Sequence, residues 1–302
     1  VVSQGALAGR VVLVTGGGRG IGRAHCLELA AQGAAVVVND PGVTRDGVER
    51  DADPAAEVVA EIEEKGGRAI AHTGSVASWS DVADMVGSAV ETFGVLTGVV
   101  NNAGIVRDAM VLNATDADWD AVMAVHLKGT FAVTKHAMQY WRAQAKGGNQ
   151  IAAHVVNTVS GAGLWGNVGQ GAYGAAKAAI ANLTHVTAIE GSRYGVAANA
   201  ISPLATTRIS ESFFSKENSQ NPALDPARSS AVVAWLQSAD SSWLSGQILR
   251  VNGSVLSRIE GFTEAPDRYQ AQGPDGLQFS EIGAAVRRLY HVAPRGLAGG
   301  GG

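Results

Sequence analysis

The sequence predicts an α/β fold: a single doubly wound domain of three α/β/α layers around a seven-stranded, predominantly parallel sheet, followed by a C-terminal extension. Three observations predict it. Short continuous apolar runs, the first at residues 11–14, have the pattern of strands buried on both faces. Amphipathic stretches of about 10–16 residues lie between these runs, so strands and helices alternate as in βαβ units. A glycine cluster, Gly16-Gly17-Gly18-Arg19-Gly20-Ile21-Gly22, separates the first run from the first helical stretch.

In chain order, residues 10–15 form the first strand, and the glycine turn opens a helix with Ile21, Ala24, Leu27 and Leu29 at apolar positions. Residues 34–39 give the second strand, closed by Asp40. Residues 41–53 are polar and read as a loop. Pro54 opens a helix that Gly66-Gly67 ends, with Val58, Val59 and Ile62 inward. A third strand at 69–73 leads to Ser75-Val76. Ser78 and Asp81 then have the spacing of a capping box for a helix ending near Phe93-Gly94. The fourth strand, 97–100, runs into Asn101-Asn102-Ala103-Gly104. A long helix follows Asp116, a fifth strand (152–159) ends at Ser160, and a helix beginning near Tyr173 ends at Tyr194-Gly195. Strand six (197–201), a polar stretch at 210–226, a helix at 226–236 and a strand at 247–251 complete the domain over residues 1–253. The polar stretch is the expected position of a flap over the substrate.

Composition narrows the function classes. A chain of 302 residues with 46% hydrophobic content can bury a large core, and its net charge of −4 supplies no basic stripe for nucleic acid or anionic membrane. No apolar run approaches the ~20 residues that span a bilayer. There is no charged n-region with an apolar stretch behind it and no Ser-Lys-Leu ending, so a cytoplasmic location is expected. The single cysteine, Cys26, has the helical spacing of a core residue, and the seven histidines show no metal-ligand spacing, so no metal is expected.

The chemistry concentrates at two places. The glycine turn lets the backbone approach a pyrophosphate at a helix N-terminus, whose free N–H groups favour anions. Asp40 can accept hydrogen bonds from both hydroxyls of an adenosine ribose and repels a 2′-phosphate, which favours NAD over NADP; Arg19 pulls weakly the other way. Ser75, Val76 and Asn101 fall at strand carboxyl ends, where ligands of such sheets bind. The second place is Tyr173-Gly174-Ala175-Ala176-Lys177. Residues i and i+4 share a helix face, and an ammonium beside a phenol is expected to ease its ionisation. The phenol could then exchange protons with an alcohol or a carbonyl.

These residues resemble the short-chain dehydrogenase/reductase family over residues 9–253, a family of Rossmann-like domains. Thr15-Gly16-x-x-x-Gly20-x-Gly22 resembles its cofactor turn, Asn101-Asn102-Ala103-Gly104 its strand-4 motif, and Ser160 with Tyr173-x-x-x-Lys177 its catalytic set. The resemblance implies an NAD(P)-dependent oxidoreductase that interconverts a secondary alcohol and a ketone. Cofactor contacts are then expected from Thr15, Gly16, Gly18, Arg19, Gly20, Ile21, Gly22, Asp40, Ser75, Val76, Asn101, Asn102, Ala103, Gly104, Tyr173, Lys177, Pro203 and Thr207. Ser160 would bind the substrate oxygen, Tyr173 would carry the proton, and Lys177 would lower the tyrosine's pKa and hold the nicotinamide ribose. His126 stands where the family usually has an asparagine behind a relay water. Together with Val38-Asn39-Asp40, Ser75-Val76, Gly166-Asn167-x-Gly169-Gln170 and Thr207-Arg208, it is similar to the branch acting on 3-hydroxyacyl-CoA and 17β-hydroxysteroids, which includes the dehydrogenase domain of the peroxisomal type 2 multifunctional enzyme. Trp165 is a candidate wall of the substrate pocket. The alternatives are a ketoacyl-thioester reductase, which Asp40 disfavours if it needs NADPH, and a non-catalytic NAD-binding regulator.

The extension, residues 254–302, carries Phe262, Tyr269, Phe279, Leu289 and Tyr290, with helical spacing at Ile282, Val286 and Leu289. It is expected to pack near the active-site mouth, with a disordered glycine-rich end. The open sheet edge and apolar late helices predict a homodimer or homotetramer.

Overall fold

A computed structural model describes residues 5–44, 53–205, 224–261, 266–271 and 278–289. Its strands form one sheet in the order β3-β2-β1-β4-β5-β6-β7-β8. They are β1 (Val11–Thr15), β2 (Ala35–Asn39), β3 (Arg68–His72), β4 (Gly98–Asn101), β5 (Ala153–Thr158), β6 (Val196–Leu204), β7 (Ile248–Asn252) and β8 (Val255–Ile259). All neighbouring pairs are parallel except β7 with β8. The sequence predicts seven strands, and the sheet formed by the described residues has eight. The extra strand is a hairpin return at Gly253, whose φ of 56° turns the chain back along β7. Its exposed side chains carry no buried-strand pattern, so periodicity could not reveal it.

The sheet reverses its winding between β1 and β4, so the carboxyl ends of those strands open a crevice. Helices α1 (Gly20–Ala31), α2 (Pro54–Glu64) and α8 (Ser230–Leu236) accompany one core, in which Val12, Val14, Val36, Val38 and Val100 meet Leu29, Ile62 and Leu236. The core on the other face joins Leu13, Val37, Val99 and Val155 to Met85 of α3 (Trp79–Phe93) and Trp141 of α5 (Gly129–Lys146). Each β1 side chain therefore serves one face in alternation. Cys26 is buried, as a core residue should be.

The long helix expected after Asp116 is three pieces: α4 (Asp116–Met123), a π-helical turn (Ala124–Lys128) and α5. The π turn inserts a residue and redirects the side chain of His126 inward. The helix expected at 226–236 begins as a 3-10 turn, Pro226–Ser229. Ser78 does accept from Asp81 N, at 3.4 Å, but the carboxylate returns to Ser75 N at 2.9 Å rather than closing a capping box. A full capping box stands instead at Thr115 and Asp118.

Two compact units divide at residue 259. The second, Glu260–Gly302, contains α9 (Phe279–Leu289), with the Arg288 guanidinium 5.7 Å from the Tyr269 ring centroid. Phe262, Tyr290 and the terminal glycines lie outside the described residues. Among the described residues no helix is long and apolar enough to cross a membrane, and no cluster of side chains could hold a metal ion.

Candidate active site

A cavity of about 410 Å³ opens at the crevice between β1 and β4. Gly16, Arg19, Gly20, Ile21, Gly22, Asp40, Ser75, Val76, Asn102, Ala103 and Gly104 line it, as expected of residues at strand carboxyl ends. The turn is built for a close visitor. A Cβ on Gly22 would lie 2.0 Å from the Gly16 carbonyl oxygen, and one on Gly16 (φ +63°) 2.8 Å from Ala103 Cα. The amide of Asn102 donates to the carbonyls of Thr15 and Gly16 at 3.2 and 3.1 Å. The Thr15 hydroxyl accepts from the N–H groups of Asn102 and Ala103, both at 3.1 Å. Thus Thr15 does not line the cavity but fixes the two strand ends that do.

No side chain caps α1 and no acidic residue stands in its first turn, so its N-terminal end keeps its attraction for an anion. The Asp40 carboxylate accepts from Gly18 N at 3.1 Å and Gly42 N at 2.9 Å. Each oxygen retains acceptor capacity. Arg19 donates to the Val43 carbonyl at 3.2 Å. This arrangement fits a dinucleotide: an anion-attracting helix end, a backbone bare of Cβ atoms and an oriented carboxylate.

Asn101, expected to contact the cofactor, does not line the cavity. It is buried, and its amide donates to Thr134 Oγ1 (3.1 Å) and Asn157 Oδ1 (2.8 Å), while Asn157 donates to Thr184 Oγ1 (2.9 Å). The side chain joins the sheet to α5 and to α7 (Gly171–Gly191). Pro203 sits half-buried in β6 and does not line the cavity, and Thr207 lies outside the described residues. Sequence reasoning missed Pro41, Val43 and Thr44 after β2, Ile105 and Arg107 after β4, and Ala121, Ala124 and Val125, which also line the cavity. For the last group, only the π turn could have signalled which side of the helix faces inward.

Ser160 leaves β5 in extended conformation and its hydroxyl caps α6 (Gly161–Trp165), accepting from Ala162 N at 3.3 Å. The same side chain is near enough to Tyr173 to act on its phenol. One turn along α7, Lys177 is buried and donates to the Thr158 carbonyl at 2.7 Å. Here the electrostatics correct an expectation. Burial raises the Tyr173 pKa above its usual value, the nearby Ser160 hydroxyl opposes that, and the Asp108 charge adds to it. Lys177 itself is pushed down to about 7 by desolvation, and its Nζ lies over the ring, 5.7 Å from the centroid. Burial raises the phenol where the i, i+4 spacing predicts lowering.

His126 is also buried, with its ring edge-on to Tyr173 at a centroid distance of 5.2 Å. Its Nε2 lies 2.7 Å from the Ile105 carbonyl oxygen, and Nδ1 has no protein partner. Desolvation first, then the Lys177 charge, push its pKa down to about 3, so the ring is neutral. Trp165 is half-buried against Gly161 and outside the 410 Å³ cavity.

A family model described as short chain dehydrogenase matches residues 10–218, which include the glycine turn, Ser160, Tyr173 and Lys177. The chain belongs to the short-chain dehydrogenase family. It is 42% identical over 292 residues to the hydroxyacyl-CoA dehydrogenase ChsB1 of Mycobacterium tuberculosis, covering 94% of this chain and 89% of that one. It is 41% identical over 228 residues to the mouse peroxisomal multifunctional enzyme type 2, covering 76% of this chain and 30% of that longer enzyme. A crystal structure of a short chain dehydrogenase from Mycobacterium avium superposes with a TM-score of 0.85 at 46% identity, covering 97% of this chain and 98% of that one. This short-chain dehydrogenase is therefore an oxidoreductase of a family that uses NAD(H) or NADP(H).

Proposed function

We propose that this protein is an NAD-dependent dehydrogenase interconverting a secondary alcohol and its ketone, with a 3-hydroxyacyl-CoA or 17β-hydroxysteroid-like substrate. The observation that carries the reading is that Ser160, at the end of β5, lies close enough to Tyr173 to act on its phenol, with Lys177 buried one helical turn away. Asp40, already oriented by two backbone donors, supports the choice of NAD. The relatives named for hydroxyacyl-CoA and peroxisomal multifunctional activity support the substrate class.

In this reading NAD, bound at the glycine turn, supplies the redox chemistry. Ser160 holds the substrate oxygen. Tyr173, as phenolate, takes the hydroxyl proton in oxidation, and as phenol it returns one in reduction. Lys177, over the Tyr173 ring, donates to Thr158, while neutral His126 packs edge-on against that ring. The raised Tyr173 pKa favours a second reading in the reductive direction, a ketoacyl-thioester reductase, because the phenol is then the resting form. The exposed Phe131 of α5 and Val186 and Ile189 of α7 support assembly as a homodimer or homotetramer.

The test is Tyr173→Phe, assayed by NADH absorbance with hydroxyacyl-CoA and steroid alcohols. Turnover should fall by about 10²-fold or more with NAD affinity retained. Near-normal turnover would falsify the assignment, and silence of the unaltered protein across a broad alcohol panel would favour a regulator.

A further inference from the structure

Helix α6 has only five residues and follows Ser160, its N-cap, so its orientation must come from its neighbours. Two contacts supply it. At its middle, a Cβ on Gly163 would lie 2.6 Å from Ala178 N and 2.7 Å from Lys177 Cβ, so the α6 backbone rests directly on α7. At its end, Trp165 folds back over its own first turn. The indole carbons Cζ3 and Cε3 stand 3.1 and 3.2 Å from where a Gly161 Cβ would be. Arg250 of β7 lays its guanidinium on that indole, 4.5 Å from the ring centroid, and its Nη1 comes 3.8 Å from the same Gly161 position. Among the described residues no carboxylate forms an ion pair with Arg250, and its guanidinium packs on the indole.

The residue after Ser160 is thus covered by an indole that an arginine two strands away holds down. We propose that Arg250 is a positioning residue: by holding Trp165 over Gly161 it fixes the turn that carries Ser160 and so governs how bulky substrates are oriented there. This rests on the reading of Ser160 and Tyr173 as the reacting groups. A half-buried cation–π stack is strong enough to set a rotamer, and small misplacements at a reacting centre are costly.

The test uses the full chain with NADH and two probes, acetoacetyl-CoA and 3-ketodecanoyl-CoA. Arg250→Met keeps the length and removes the charge. It should raise KM for the longer probe roughly 3- to 30-fold and affect the shorter one less, with kcat largely kept. Arg250→Lys, which keeps the cation, should recover most of the loss. In a Trp165→Leu background, Arg250→Met should add nothing, because the two act as one unit. Unchanged KM for both probes, or effects that multiply independently, would overturn the proposal. A crystal structure of R250M gives a readout independent of substrate: the indole should leave Gly161, and an indole still in place overturns the proposal. Tyr173→Phe separates the two failures. If that variant keeps turnover, the catalytic reading is wrong; if it is dead and R250M is silent in every assay, only the Arg250 assignment falls.

Discussion

The Lys177 ammonium lies over the face of the Tyr173 ring, 5.7 Å from its centroid, and spends its short hydrogen bond on the Thr158 carbonyl at 2.7 Å. Burial, with Asp108 adding to it, leaves the phenol with a raised pKa. Oxidation needs phenolate, and reduction needs phenol. Oxidation kcat/KM should therefore climb as pH rises through the alkaline range, while reduction is favoured at lower pH. Paired pH profiles of the two directions check this, and an oxidation limb already flat at neutral pH would contradict it.

Asp40 should decide between the two dinucleotides. Its carboxylate is held by Gly18 N and Gly42 N, which leaves acceptor capacity on both oxygens and a negative charge at the cavity edge. Asp40→Ala should weaken NAD roughly tenfold to a hundredfold, since hydrogen bonds to a charged group are lost. Affinity for NADP should fall less or rise, because a repelling charge has gone. Calorimetry with both dinucleotides measures this. An unaltered protein that binds NADP as tightly as NAD would remove the basis for the assignment.

Much of this site was legible because its parts are local. The Gly16–Gly22 turn, Asp40 and the Tyr173–Lys177 spacing each depend on a few consecutive residues whose backbone demands are visible in sequence. What stayed hidden depends on packing. Asn101 looks like a strand-end ligand, but its neighbours Thr134 and Asn157 come from elsewhere in the chain and turn it into a core strut. The reversal of the expected Tyr173 shift comes from burial, which no i, i+4 rule contains. The π turn at Ala124–Lys128 follows an unbroken helical pattern and changes only which side faces inward.

The glycine turn gives a paired test. Gly22→Ala drives a methyl to 2.0 Å from the Gly16 carbonyl oxygen and 2.5 Å from Asn102 Nδ2, both fixed by the β4 end. NAD binding should be lost by tenfold or more, about 1.4 kcal/mol at least. Gly87→Ala in α3 meets nothing within 4 Å and should stabilise the fold by about 0.5–1 kcal/mol with NAD affinity unchanged. If the two variants bound NAD equally well, the turn would not be the pyrophosphate site.

Acid should unfold this protein through its interior histidines. Burial pushes His25 and His126 down to about 3 and His154 to about 4, from an unfolded value of 6.5. Between those limits the unfolded chain binds more protons than the folded one, so stability rises with pH there and is lost as pH falls below 6.5. Each such proton contributes about 1.4 kcal/mol per pH unit. Lys177 acts in the same direction over a higher window, since its pKa is about 7 when folded and 10.5 when unfolded. Stability should therefore increase from pH 4 up to 6.5 and again above 7. Urea unfolding at a series of pH values measures it. Midpoints that stay level from neutral pH down to pH 5 would show that these rings are not held neutral, and with them the neutral His126 wall behind Tyr173 would go.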